Sequence, residues 1–483
     1  MSTHWSDYRK SAREGKLSHA NLLKLLKAQA AANHWARIDR WLPLLLEKSV
    51  CVGERKGSAI AISSWLLQQR RAELANALLS QLKWNDAGAA EWLLRGKVEH
   101  RIGDLEAAER HLIKASALPG GQPEAAYRLA QLYRSSGNFD KAATWYLATL
   151  TSDPEPFVIH NELQFTRCSD KLLPELVSFY QGLSELQPHR AIVAQFHAHY
   201  LSKQGEITRS IAESRRGARL EIKNFQDKLS PPEDEPTPPD FLILGTPKGG
   251  TTATLRWLDH VPNIWCHPRK ELHFFDGRFE FGSEWYFAQF PRFQNDANIM
   301  RGEATPNYFS NPDTPERVAQ LMPKAKLVVL LRNPVARAVS WVQHLQRLEG
   351  LDGSVAHWLE QELDQLELLN AKQLANHPRI GTGALQDSCY DLHWQRWRHA
   401  LPANAPLLLS SDRLFKNPGE ELNRLLEFLG KKGDARPWLE HWRPLNVNPS
   451  ASEALPVDLH QRLEHFLQAQ CQQTLVLANH PKT

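Results

Sequence analysis

Between residues 18 and 222 the apolar positions fall at helical spacing almost throughout, which predicts an all-α region. The second half of this stretch repeats. Gly103-Asp104 returns as Gly137-Asn138 after 34 residues and as Gly205-Glu206 after a further 68. In the same frame Ala108 aligns with Ala142, Leu112 with Tyr146, and Pro154 with Pro188. Each unit is then a helix pair that cannot bury its apolar face alone, so copies are expected to stack into a solenoid. The units at about 89–154 are clear, those at 155–188 and 189–222 are degraded, and 18–88 carries weaker signatures.

The pattern breaks at 223–240. Ser230 to Pro239 holds five prolines and three acids in ten residues, the composition of an extended linker. The expected organisation is therefore a helical-repeat domain at 1–222, a linker at 223–240 and a second domain at 241–483. That second domain is expected to fold alone. Its apolar runs Phe241–Leu244, Lys326–Leu331 and Pro406–Ser410 are too short for helices and read as buried strands. Helical stretches at 251–260, 345–380 and 417–430 separate them, and Pro334 falls just inside another helix start. Strands alternating with helices predict an α/β fold, a parallel sheet covered on both faces.

The loop after the first strand carries the candidate chemistry. Gly245-Thr-Pro-Lys-Gly-Gly-Thr-Thr252 joins a strand to a helix start, with glycines that let a ligand approach the backbone. Free N–H groups, the positive helix end, Lys248 and the threonine hydroxyls together form an anion cradle. Its spacing is not the G-x-x-x-x-G-K-[ST] of nucleotide hydrolases, since the lysine precedes the glycine pair.

Tetratricopeptide repeats place a tryptophan and a glycine where Trp92 and Gly96 stand, and Leu129, Ala130 and Tyr133 fit the next copy. Three further stretches, taken together, resemble another family. They are the glycine loop, Lys270-Glu-Leu-His-Phe-Phe-Asp276, and Leu327-Val-Val-Leu-Leu-Arg-Asn-Pro-Val-Ala-Arg-Ala-Val-Ser340. In this order they resemble sulfotransferases that use 3′-phosphoadenosine 5′-phosphosulfate, above all the heparan sulfate O-sulfotransferases and their bacterial relatives. The likeness covers roughly residues 240–475 and implies a P-loop-like sulfotransferase fold.

The resemblance also implies residue roles. Lys248 would stabilise the leaving phosphate, with Gly249, Gly250, Thr251 and Thr252 as further donors. Glu271 would be the general base, its pKa raised by an aromatic setting of Phe274, Phe275 and Trp285. His273 is the rival base. Arg332 and Ser340 would bind the 3′-phosphate, while Arg337 is expected at the surface or the rim of the core. Two departures stand out. The heparan-type enzymes carry a lysine where this chain has Ala304, and their late nucleotide-covering loop has no clear match near Asn446–Ser450.

Composition narrows the partners. A net charge of +4 is too small for wholesale nucleic-acid binding. Five scattered cysteines without a C-x-x-C pair argue against a disulfide framework or zinc site, and no histidine spacing suggests another metal. Neither a signal peptide nor a run of about 18 apolar residues occurs, so a cytoplasmic, bacterial protein without a membrane span is expected. The acceptor is expected to be a carbohydrate or other hydroxyl compound, with the repeats presenting it or a protein partner. Two other readings remain. A P-loop kinase would need a lysine directly before Ser or Thr, which is missing. A helical-repeat scaffold with a nucleotide-binding but inactive α/β domain would make the repeats the working part.

Overall fold

The computed structural model describes residues 19–32, 34–48, 52–222, 237–293, 299–443 and 455–479. Residues 223–236 of the expected linker, and Asn446–Ser450, lie outside them. The chain divides into two compact units, Met1–Cys168 and Ser169–Thr483. Among the described residues no helix is long and apolar enough to cross a membrane.

The first unit is all helix. Ala89–Ile102 pairs with Leu105–Ala117, and Glu124–Ser135 with Phe139–Ser152. The repeating glycines are the turns within these pairs. Gly103 and Gly137 take left-handed φ values of 88° and 73°, and Gly205 takes 86° between Ala191–Lys203 and Ile207–Leu220 of the second unit. Glycine ends a helix in that conformation without a Cβ penalty. The aligned Ala108, Leu112, Ala142 and Tyr146 are all buried. Gly96 is fixed by packing, since a Cβ there would stand 2.6 Å from Leu112 Cγ.

The second unit is a five-stranded, wholly parallel sheet in the order β2-β3-β1-β4-β5. The strands are β1 (Phe241–Gly245), β2 (Ile264–Cys266), β3 (Met300–Ala304), β4 (Lys326–Leu331) and β5 (Leu407–Ser410). The three expected strands are present, and helix Thr251–Leu258 follows β1. Side chains alternate between two cores. Leu242, Leu244, Leu327 and Val329 face one that contains Phe274, Trp285, Tyr286 and Trp397. Phe241, Ile243, Val328 and Leu330 face the other, with Leu255, Trp257, Leu422 and Leu425. Strand order reverses around β1, so the carboxyl ends of β1 and β4 flank the crevice where such sheets bind ligands.

Composition places the boundary at 223–240, whereas the compact units part at 168/169. Helices Leu173–Leu186, Ala191–Lys203 and Ile207–Leu220 fall with the sheet. Ile222 is buried in the first core, Ile207 and Ile211 pack against it, and Trp285 Nε1 donates to Ser210 Oγ at 2.9 Å. Trp265 Nε1 donates to the Glu221 carbonyl at 2.7 Å. A shared core holds these helices to the sheet.

One ion cluster fixes the far edge. Glu421 is fully buried, with Arg424 Nη1 at 2.8 Å and Arg413 Nε at 3.0 Å from its carboxylate. It also accepts from the Ser410 backbone N–H at 3.2 Å, beside Ser411, whose hydroxyl donates to the Gly249 carbonyl at 2.6 Å. Glu421→Ala would leave two guanidinium groups without their buried partner, at a cost of about 3–5 kcal/mol. Thermal unfolding is expected to show a clearly lowered Tm.

Candidate active site

The loop after β1 is shaped by close backbone approach. Thr246 donates to the Leu330 carbonyl of β4 through its N–H at 3.0 Å and its hydroxyl at 2.9 Å. Gly249 lies so near that a Cβ would stand 2.7 Å from the same Leu330 oxygen. Gly250 has φ 98°, and no side chain caps the helix that starts at Thr251. The first N–H groups of that helix therefore face the loop with their positive partial charge.

Cations gather around this helix start. Lys248 is half-buried in a left-handed conformation, φ 70°. Burial first, then the charges of Arg347, Lys270 and Arg332, lower its ammonium to about 8 against the opposing pull of Glu271. Arg332 directly follows β4, with Nη1 3.4 Å from the Lys248 carbonyl. Its own carbonyl accepts from Tyr390 OH at 3.1 Å. Ser340 lies in the following helix, Pro334–Glu349, whose N-cap Asn333 accepts from the Ala336 N–H at 2.9 Å. Arg347 stands seven residues beyond Ser340, about two turns along the same face. Arg337 is the exception to its expected place. It is fully buried, donating to Ser388 Oγ at 2.8 Å and the Ala384 carbonyl at 2.6 Å, so it belongs to the core and not to the surface or rim.

The second half of the site follows β2. Glu271 and His273 have φ of 64° and 52°, so the segment is not an extended strand. The Glu271 N–H donates to the Ala304 carbonyl at the end of β3, at 3.0 Å. Lys270, nearly buried, reaches the Thr252 hydroxyl at 2.8 Å, the Thr251 hydroxyl at 3.4 Å and Glu271 Oε1 at 3.0 Å. On the other side His273 Nε2 is 3.8 Å from Glu271 Oε2, and its Nδ1 is 2.9 Å from Asp276 Oδ2.

These neighbours reverse the expected shift of Glu271. Burial by itself raises the carboxyl, but the Lys270 charge and the His273 imidazole outweigh it and hold the pKa well below the carboxylate range. The aromatic setting is present, with Phe274, Phe275 and Trp285 all buried, yet two cationic groups decide the sign. His273 shows the converse. Burial lowers it, while Asp276 and Glu271 together push it up to about 9. Asp276→Asn is expected to bring this pKa down toward neutrality, as read by NMR titration of the imidazole. The pair stabilises the fold below the ordinary histidine range, and the gain fades as pH rises through about 9.

A third carboxyl lies behind. Glu303 on β3 is buried, accepting from Thr305 Oγ1 at 2.7 Å and Tyr286 OH at 3.1 Å. Burial pushes it up to about 7 despite those hydrogen bonds. Glu303, Asp276 and Arg347 were not among the sequence candidates, and Lys270 figured there only within a motif. The spacing of Arg347 from Ser340 was the one available signal for it. Thus Lys248, Lys270, Glu271, Arg332, Thr251 and Thr252 come together at the carboxyl ends of β1, β2 and β4.

Comparison with known proteins gives this arrangement its context. Residues 238–452 match the sulfotransferase domain family. This region is similar to sulfotransferase domains. It is 33% identical over 195 residues to human heparan sulfate glucosamine 3-O-sulfotransferase 6, covering 40% of this chain and 53% of that one. To human bifunctional heparan sulfate N-deacetylase/N-sulfotransferase 1 it is 32% identical over 198 residues, 40% of this chain and 22% of the other. The chain thus spans about half the length, or less, of these curated relatives. A sulfotransferase from Alicyclobacillus acidocaldarius of known crystal structure aligns at 23% identity with a TM-score of 0.40, over 51% of this chain and 98% of that one. The matched region contains every candidate site residue named from the sequence.

Proposed function

We propose that the chain transfers the sulfuryl group of 3′-phosphoadenosine 5′-phosphosulfate to a hydroxyl of a carbohydrate or glycoconjugate. The observation that carries this reading is the convergence of Lys248, Arg332 and Arg347 on an uncapped helix start, beside the carboxylate of Glu271. A dense group of cations around free N–H donors suits a ligand with several negative charges. A basic group next to it suits abstraction of a proton.

In the proposed step the acceptor oxygen forms a bond to sulfur as its proton passes to Glu271. The bond from sulfur to the 5′-phosphate oxygen breaks, and Lys248 meets the charge left on that oxygen. Gly249, Gly250, Thr251 and Thr252 donate to the phosphosulfate. Arg332 and Ser340 hold the 3′-phosphate, separating the two ends of the nucleotide. The high pKa of His273, about 9, supports Glu271 as the base, because a protonated imidazole donates and does not accept. His273 then orients Glu271. The repeats at 89–152 would present a large acceptor or a protein partner.

Incubation with radiolabelled donor and a panel of glycan, lipid and peptide acceptors tests the proposal. Label on a glycan hydroxyl is the expected result. Binding of adenosine 3′,5′-bisphosphate without transfer to any acceptor would favour a nucleotide-binding scaffold instead.

A further inference from the structure

Lys270 occupies a place that neither the cradle nor the base accounts for. Its ammonium has three N–H donors, and three acceptors surround it. The Thr251 and Thr252 hydroxyls belong to the helix that follows the anion loop, while Glu271 Oε1 belongs to the opposite segment. The side chain is nearly buried, so these bonds are not traded freely with water. With every donor engaged, it has none to spare for a ligand. Its effect must pass through the groups it holds.

From this geometry we infer that Lys270 is a positioning residue that couples the donor cradle to the general base. Its bonds set the distance between the Thr252 hydroxyl and the Glu271 carboxylate, the two sides between which a sulfuryl group would pass. A movement of Thr252 on donor binding would be transmitted to Glu271 through one ammonium. The neighbouring backbone is braced for this, as the Glu271 N–H is anchored on the Ala304 carbonyl at 3.0 Å. Ala304 is also where the resembled enzymes carry a lysine. Its side chain faces the core covered by helix Thr251–Leu258, the same side that the Lys270 ammonium reaches. The chain thus brings an ammonium to this region from the segment after β2.

The inference rests on the proposed sulfuryl transfer, and its test separates the two. Lys270→Gln keeps polar contacts but removes the charge, and Lys270→Arg keeps the charge. The groups facing Glu271 are Lys270, His273 and, from the loop after β1, Lys248, with Asp276 and Glu303 set behind His273. For Lys270→Gln, kcat is expected to fall about 10- to 100-fold, part of the contribution of a well-placed base. The affinity for adenosine 3′,5′-bisphosphate is expected to stay near that of the parent, which also reports that the variant is folded. The acidic limb of the pH–rate profile is expected to rise toward the ordinary carboxylate range, since loss of a neighbouring positive charge raises the Glu271 pKa. Lys270→Arg is expected to restore most of kcat and return the limb to low pH.

Unchanged kcat and an unchanged acidic limb in Lys270→Gln would overturn the inference. So would a loss of bisphosphate affinity as large as the loss of kcat, which would make Lys270 a simple part of the cradle. A parent protein that transfers nothing would overturn the sulfotransferase reading alone. In that case carbon-13 NMR of labelled glutamate, comparing the Glu271 titration in parent and Lys270→Gln, decides the coupling. An unshifted titration rejects it.

Discussion

Glu271→Gln is expected to leave adenosine 3′,5′-bisphosphate binding nearly intact and to lower transfer by about 10²- to 10⁴-fold, the contribution of a positioned general base. The amide keeps the size of the carboxylate and its contact with the Lys270 ammonium but cannot accept the acceptor proton. Binding persists because Lys248, Arg332 and the start of helix Thr251–Leu258 are untouched. The low pKa of Glu271 adds detail. A carboxylate held down by Lys270 and His273 stays charged across the working range, so it can always accept a hydrogen bond from a hydroxyl. Calorimetric titration of bisphosphate alongside single-turnover transfer measures the two effects. A variant that lost binding and transfer together would assign Glu271 to the cradle.

A chain starting at Ser169 is expected to fold and bind the nucleotide, whereas one starting at Thr237 is expected to be insoluble. The shorter version lacks helices 173–220 and uncovers the side of the sheet core that contains Trp265 and Trp285. It strips the indole N–H groups of Trp265 and Trp285 of their partners, the Glu221 carbonyl and the Ser210 hydroxyl. Buried Ile222 and the flanking Ile207 and Ile211 go as well. At about 1.5–3 kcal/mol for each fully buried large apolar side chain, these losses rival the whole stability of an ordinary domain, about 5–15 kcal/mol. Size-exclusion chromatography and circular dichroism of both versions give the comparison. A soluble, monomeric product from Thr237 would make the Pro-rich segment the true boundary.

Sequence reading was strongest where burial is apolar on both faces. Phe241–Leu244 and Lys326–Leu331 announce themselves as strands because, Lys326 apart, every residue in them is apolar and buried. Met300–Ala304 was not named as a strand, since its residues include Arg301 and Glu303. Those side chains are nevertheless buried and satisfied, Arg301 Nε by Asp240 at 3.1 Å and Glu303 by Thr305 and Tyr286. A hydropathy pattern has no sign for a polar residue whose partner lies far along the chain. Arg337 escaped for the same reason, because Ser388 is its acceptor 51 residues away. At Glu271 the local aromatics were legible but the direction of the pKa was not. That direction depends on a hairpin of left-handed residues that turns Lys270 and His273 toward one carboxylate. The helical period was legible through glycine, since Gly103, Gly137 and Gly205 sit where only a left-handed turn joins the helices. What the period could not reveal was that the pair around Gly205 shares its core with the sheet.

The crowding of cations around Lys248 links ligand exchange to the solvent's protons. With its ammonium at about 8, this lysine is only partly charged in mildly alkaline solution, because burial first, and then its neighbours Arg347, Lys270 and Arg332, disfavour its positive charge. A phosphosulfate or bisphosphate entering the loop supplies the missing negative charge and raises that pKa. Arrival of the proposed nucleotide is therefore expected to draw a proton from water onto Lys248, and departure to return it. Affinity for either nucleotide is expected to weaken as the pH climbs above about 8, since the proton must then be taken from a scarcer supply. Through this one ammonium, the proton concentration of the medium would act as a second ligand of the proposed nucleotide site.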